Sequence, residues 1–200
     1  DENLDYITLF EDDILLGEDA EKFLAESEWL KVRFNFQDIF VLRLETFLMH
    51  VKLEKQQQIL PFQQREIDIL KSNHFGTAGY VISYGAAKYL IELFKKLSSE
   101  EIKAIDEIMF NQLIDAPGYR VYQLNPAICV QELQLHQDGS QLVSQLEQER
   151  KNKPKIRQKK TLKQRFVRIK ENIIRAINKE KWEKKQYLNE IQGKEIVRFM

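Results

Sequence analysis

The segment Tyr6-Ile7-Thr8-Leu9-Phe10-Glu11-Asp12-Asp13 constrains this chain most strongly. Its first five residues, mostly β-branched or aromatic, read as a buried strand. The strand ends abruptly in three consecutive acids. Neighbouring carboxylates repel one another and resist burial, so a fold accepts them where they face water or hold a cation. Side chains alternate along a strand, which puts Glu11 and Asp13 on one face and turns Asp12 to the other. Two hard oxygen ligands on one face suit Mg²⁺ or Mn²⁺. The plain alternative is a solvated strand end that leads into a helix cap.

The remaining pattern predicts an α/β domain. Ala20, Phe23 and Leu24 recur at helical spacing and predict a short helix to about Trp29. Residues 38–45 read as a strand, and Phe47 to Leu60 is ambiguous between strand and polar loop. Gly76 and Gly79 lie among small residues and allow close backbone approach. Tyr80 to Ile82 then reads as a strand, and Gly85 to Lys96 as a helix with Ala86, Tyr89, Leu90, Leu93 and Phe94 on one face. Ser98 and Glu101 form a capping-box pattern for a helix that would carry Ile102, Ile105, Ile108, Met109 and Leu113 inward. Asp106 and Glu107 sit beside them. Arg120 to Leu124 is a further strand, followed by Pro126 to Gln131, and Gln134 to Ser144 reads as loop.

The formal net charge of zero conceals an asymmetry. Residues 1–149 carry 13 Lys/Arg against 26 Asp/Glu, and residues 150–200 carry 18 against 5. This predicts an acidic globular domain over 1–149 and a basic helical tail over 150–200. In the tail, Leu162, Phe166, Ile169, Ile173 and Ile177 fall on one helical face. Lys163, Arg165, Arg168, Lys170 and Arg175 fall opposite. Such a helix can lie on an anionic membrane surface through residues 155–178, or pack against the acidic domain. Nucleic acid ranks lower, because the tail lacks the interleaved aromatic residues of a stacking surface. The single cysteine, Cys129, excludes an intramolecular disulfide and a cysteine-cluster zinc site, and is expected to be buried and inert. No apolar run is long enough for a transmembrane helix, and no signal peptide is expected from the first residues. The chain opens at Asp1 close to a strand, so a preceding segment is expected to be missing.

Three stretches in series resemble glycosyltransferase family 25, the lipooligosaccharide-biosynthesis glycosyltransferases of Gram-negative bacteria. They are residues 4–13, Gly76-Thr77-Ala78-Gly79-Tyr80-Val81-Ile82-Ser83, and Ile105-Asp106-Glu107-Ile108-Met109-Phe110. The resemblance covers roughly residues 1–131. It implies an A-type glycosyltransferase fold, a mixed sheet flanked by helices, here truncated at the N-terminus. It implies transfer of a hexose, usually galactose, from a UDP-sugar to a growing lipooligosaccharide with inversion. The acceptor would be lipid-linked, and the protein peripheral on the cytoplasmic face of the inner membrane.

By the same resemblance, Asp13 is the direct metal ligand, with Mn²⁺ or Mg²⁺ as the ion. Glu11 assists through the metal's water shell or the ribose, and Asp12 contributes less directly. Gly76, Thr77 and Gly79 would pass close to the donor. The catalytic base is Asp106 by its place in the matched segment, with Glu45 as the second candidate. His74 could touch phosphate or be structural, and Tyr80 could stack on a sugar or belong to the core. Two other readings remain: a non-catalytic relic that binds glycan or a partner, and a two-metal nuclease built on Glu11, Asp12 and Asp13.

Overall fold

The computed structural model describes residues 4–98, 100–136 and 193–200. The chain divides into one unit of residues 1–143 with 194–200 and a second of residues 144–193. The first unit is the one described below. The basic amphipathic segment 155–178 lies outside the described residues. Among the described residues, no helix is long and apolar enough to cross a membrane.

The elements run β1 (Tyr6–Phe10), β2 (Ile14–Leu16), α1 (Ala20–Leu24), α2 (Glu28–Lys31), β3 (Phe40–Arg43), β4 (Glu45–Thr46), β5 (His50–Val51), β6 (Leu53–Glu54), β7 (Glu66–Leu70), β8 (Gly79–Ser83), α3 (Tyr84–Phe94), α4 (Ile105–Glu107), a π-helical turn (Ile108–Gln112), β9 (Arg120–Asn125), β10 (Cys129–Gln131), α5 (Glu132–Leu135) and β11 (Glu195–Ile196). Six strands form a mixed sheet in the order β1-β8-β3-β9-β7-β6. Only β3 and β9 pair in parallel; the other neighbours are antiparallel. A smaller sheet has the order β2-β10-β4.

Strand β3 shows why the sheet is covered on both sides. Phe40 and Leu42 point to one face, with Leu44 just beyond the strand in the same cluster. There they pack with Ala20, Phe23, Trp29 and Leu30 of α1 and α2. Val41 points to the other face, among Ala86 and Leu90 of α3 and Ile108, Met109 and Phe110 of the π-helical turn. Two-residue alternation with both faces apolar is what a central, doubly covered strand requires. Helix α3 starts where Ser83, fully buried, accepts a hydrogen bond from Ala86 N at 3.1 Å, as an N-cap should.

The predicted strand over 38–45 is broken at Leu44. Its N–H bonds Gly79 O in the large sheet, while its carbonyl accepts from Ile128 N and Cys129 N beside the small one. The chain changes sheets here, which places Glu45 at the junction. Other expectations are corrected. The helix expected to run to about Trp29 is two short helices, α1 and α2. Glu101 reaches back to accept from Ser98 N at 2.9 Å, but Ser98 Oγ donates to the same carboxylate at 2.7 Å and Glu101 N bonds Ser98 O, so only half of the capping box forms. These bonds close only a turn, because Ala104 is extended (φ −56°, ψ 143°) and the helix begins after it. Ile102 and Ile105, expected inward, are therefore exposed, whereas Ile108, Met109 and Leu113 are buried. The loop read from Gln134 overlaps the end of α5.

The boundary drawn after residue 149 also needs amending. Strand β11 pairs antiparallel with β5, and Val197 O accepts from Thr46 Oγ1 at 2.6 Å. Ala127 N bonds Arg198 O, and Met200 N bonds Ala127 O. The last seven residues thus belong to the acidic domain.

Candidate active site

The site grows from the end of β1. Glu11 N donates to Ala78 O at 2.9 Å, which ties the acidic turn to the glycine-containing loop. The Glu11 carboxylate accepts from Thr77 Oγ1 at 2.8 Å through one oxygen and from Gln131 Nε2 at 2.9 Å through the other. The same Gln131 nitrogen lies 3.4 Å from both oxygens of Asp13. One neutral amide therefore holds the two carboxylates together; strand alternation does not, because β1 ends at Phe10 and Glu11 to Asp13 form the turn that follows. Asp12 is exposed in the turn between β1 and β2. Gln131 was not singled out from the sequence, because a lone glutamine at a strand end carries no local signal.

The loop Phe75–Ala78 is the hub. Gly76 N donates to Asp106 Oδ2 at 3.2 Å, and Asp106 Oδ1 accepts from Glu107 N at 2.8 Å. Ala78 N donates to Glu45 Oε1 at 3.0 Å. Gly76 adopts φ +80°, which favours glycine. A Cβ there would also stand 3.3 Å from Glu45 Oε2 and from the Phe47 ring. The structure thus gathers Glu11, Glu45, Asp106, Gly76 and Thr77 around four residues of backbone.

The carboxylates differ in access. Asp106 is half-buried, whereas the Glu45 side chain is 1% exposed and ion-paired to Arg43 at 2.9 Å. Burial raises the Glu45 carboxyl to about 7; the Arg43 charge and the Ala78 N–H oppose that rise without cancelling it. Glu45, expected as a candidate base, is thus sealed beneath the loop and shapes it from below.

Gly79 is placed differently from expectation. A Cβ on it would lie 2.4 Å from Cys129 Sγ and 2.9 Å from the Phe10 ring, so its close approach is to the protein's own core. His74 is 2% exposed, with its ring Nδ1 2.6 Å from Phe75 O. Burial and then the neighbouring Arg43 charge hold it well below the usual histidine range, which makes it a neutral structural group. Tyr80 packs against the core on the α3 side. Cys129 is buried as expected, and burial pushes its thiol up.

The donor set bears on the metal expected from the sequence. Among the described residues, no three His, Cys, Asp or Glu side chains cluster as a closed metal site. Glu11 and Asp13 are two carboxylates that share one hydrogen-bond donor, Gln131 Nε2, and both keep access to solvent. A small hard cation that retains water and binds substrate phosphate needs only one or two protein carboxylates, so the pair fits Mg²⁺ or Mn²⁺.

Residues 1–109 match the family model described as glycosyltransferase family 25 (LPS biosynthesis protein). The chain belongs to glycosyltransferase family 25. The match includes β1 with its acids, the Gly76 loop and Asp106, all elements of the hub, and stops before Gln131. The family 25 chain is 63% identical over 199 residues to the lipooligosaccharide biosynthesis protein lex-1 of Haemophilus influenzae, covering 100% of this chain and 66% of that protein. It is 41% identical to the lacto-N-neotetraose biosynthesis glycosyltransferase LgtE of Neisseria meningitidis serogroup B, covering 98% of this chain and 68% of the relative. With LgtB of the same organism the identity is 40%, covering 94% and 70%. The chain thus spans about two thirds of the length of these relatives.

Proposed function

We propose that this chain carries the catalytic machinery of a glycosyltransferase of lipooligosaccharide synthesis, which moves a hexose, galactose first among candidates, from a UDP-sugar to a lipid-linked oligosaccharide. The observation that carries the reading is the convergence of Glu11, Thr77, Gly76 and Asp106 on one loop, with Asp13 joined to Glu11 through Gln131. The relatives' roles in lipooligosaccharide and lacto-N-neotetraose synthesis support the substrate class. The mixed sheet covered on both faces is compatible with the A-type glycosyltransferase fold.

In this reading Asp13 and Glu11 hold Mn²⁺ or Mg²⁺, which supplies charge neutralisation for the departing diphosphate. Thr77 fixes the Glu11 rotamer, and Gln131 keeps the two carboxylates from repelling each other apart. Asp106 is the base. Its two backbone donors leave lone pairs free to accept the acceptor hydroxyl's proton. The acceptor oxygen bonds to the anomeric carbon while the bond from that carbon to the diphosphate oxygen breaks. The proton passes to Asp106, UDP leaves with the bonding pair, and single displacement inverts the configuration.

The test uses the full-length protein with UDP-galactose and a lipooligosaccharide acceptor. Asp13→Ala should lower kcat/KM about a thousandfold, equivalent to the several kcal/mol of charge stabilisation removed. Undiminished turnover would overturn the metal assignment. Metal-dependent UDP binding without any transfer would instead favour the non-catalytic relic. In this reading the basic segment 155–178 would hold the protein on an anionic membrane surface, and a lipid-linked acceptor would make that surface the cytoplasmic face of the inner membrane. Flotation with anionic liposomes, lost on deleting residues 155–178 and absent with neutral lipid, is the corresponding check.

A further inference from the structure

Beneath the loop lies a charge that the proposed chemistry does not use. Arg43 is 0% exposed and sits on the same face of β3 as Val41. Its Nη1 donates to Gly76 O at 2.9 Å, and its Nη2 to Phe75 O at 3.0 Å and to Glu45 Oε1 at 2.9 Å. The guanidinium carbon stands 4.2 Å over the Phe110 ring, in the turn that follows Asp106. Taking such a cation out of water is costly, and an apolar pair of similar volume would be at least as stabilising. Among the described residues, neither Arg43 Nε nor Glu45 Oε2 has a hydrogen-bond partner. Two of the three Arg43 hydrogen bonds fix consecutive carbonyls of the loop that touches Glu11 and Asp106, and the third holds Glu45 beneath it.

We propose that Arg43 is a positioning residue for transfer. Its planar fork, backed by Glu45 and Phe110, fixes the Phe75–Ala78 backbone so that Asp106 and Glu11 keep their relative placement. The inference rests on the transferase reading of this site. It goes further by naming the residue that sets the geometry between the metal-side acid and the base. A lysine could keep the charge, but a single ammonium cannot reproduce the fork to two successive carbonyls and a carboxylate.

The experiment uses the full-length protein and three variants: Arg43→Lys, Arg43→Met, and Arg43→Met with Glu45→Gln. Arg43→Met leaves Glu45 buried without its partner and should lose stability. The double variant removes both charges and should recover the unfolding midpoint to near wild type. Transfer separates the roles. In the double variant and in Arg43→Lys, kcat should stay about 100-fold down, with donor KM within about threefold, because a displacement near 1 Å costs that much. Amide exchange of Gly76 and Ala78 should quicken at least about tenfold, with the central strands unchanged. A double variant with recovered stability and wild-type kcat would overturn the proposal, as would unchanged exchange in the loop. A wild-type protein without transfer would instead refute the transferase reading, and loop exchange would still judge the clamp.

Discussion

The buried carboxylate offers the sharpest quantitative test. Glu45 stands at about 7 in the folded protein against 4.5 for the free side chain, because burial outweighs the pull of Arg43. The folded state thus binds the proton more tightly than the unfolded chain does. Stability from this group is fully present below about pH 4.5 and is lost as the pH rises through about 7. The displacement corresponds to about 3 kcal/mol between the two limits. The pair's side chains are 0% and 1% exposed, so solvent screening takes little from that figure. The assay is urea unfolding from pH 4 to 8.5 for wild type and for Glu45→Gln, which keeps an acceptor for Ala78 N but cannot titrate. Other titrating groups cancel in the difference between the two proteins. Wild type should lose about 3 kcal/mol relative to the variant across this range, with the curve levelling above about pH 8. A difference that stays flat, or a wild type that gains stability as the pH rises, would show that Arg43 overcomes burial and would refute the reasoning.

Two further outcomes follow from the packing. Gln131→Ala removes the amide between Glu11 and Asp13; if these carboxylates hold the proposed cation, apparent Mn²⁺ affinity by calorimetry should weaken about tenfold while the unfolding midpoint stays near wild type. Gly79→Ala drives a methyl into Cys129 Sγ and should cost about 1–3 kcal/mol. Adding Cys129→Ala should return part of that loss in thermal unfolding, and full additivity of the two changes would contradict the contact.

Part of the site was legible in the sequence. Tyr6–Phe10 does form a strand, but it is an exposed edge strand and not a buried one, and it ends before the acids. A turn and Gln131, not strand alternation, therefore bring Glu11 and Asp13 together. Gly76 announces a backbone position that other residues resist. Asp106 came from the order of the matched stretches, not from any property of a lone acid on a helix. Arg43 and Gln131 stayed invisible. An arginine inside an apolar run gives no hint that it is fully buried until strands β8 and β9 close around β3. Gln131 acquires its role only because β10 runs beside β2. The capping box at Ser98 shows the converse: Glu101 reaches back to Ser98 N, yet the other half of the box is not made and the extended Ala104 ends the turn before a helix can propagate. Strand β7, Glu66–Leu70, is a short alternation after Pro61 with no reading of its own in the sequence, and it is defined by its pairing with β9 and β6.

The loop from Phe75 to Ala78 has a consequence for how such an enzyme can change. Its few peptide groups serve Arg43, Glu45, Glu11 and Asp106 at once, so a substitution that suits one of these residues disturbs the others. Effects of changes at Glu11 and Asp106 should therefore be non-additive even without a direct contact between them. In the proposed transferase, a change of sugar or acceptor preference should therefore be easier to make at exposed positions around this loop, one side chain at a time, than within it.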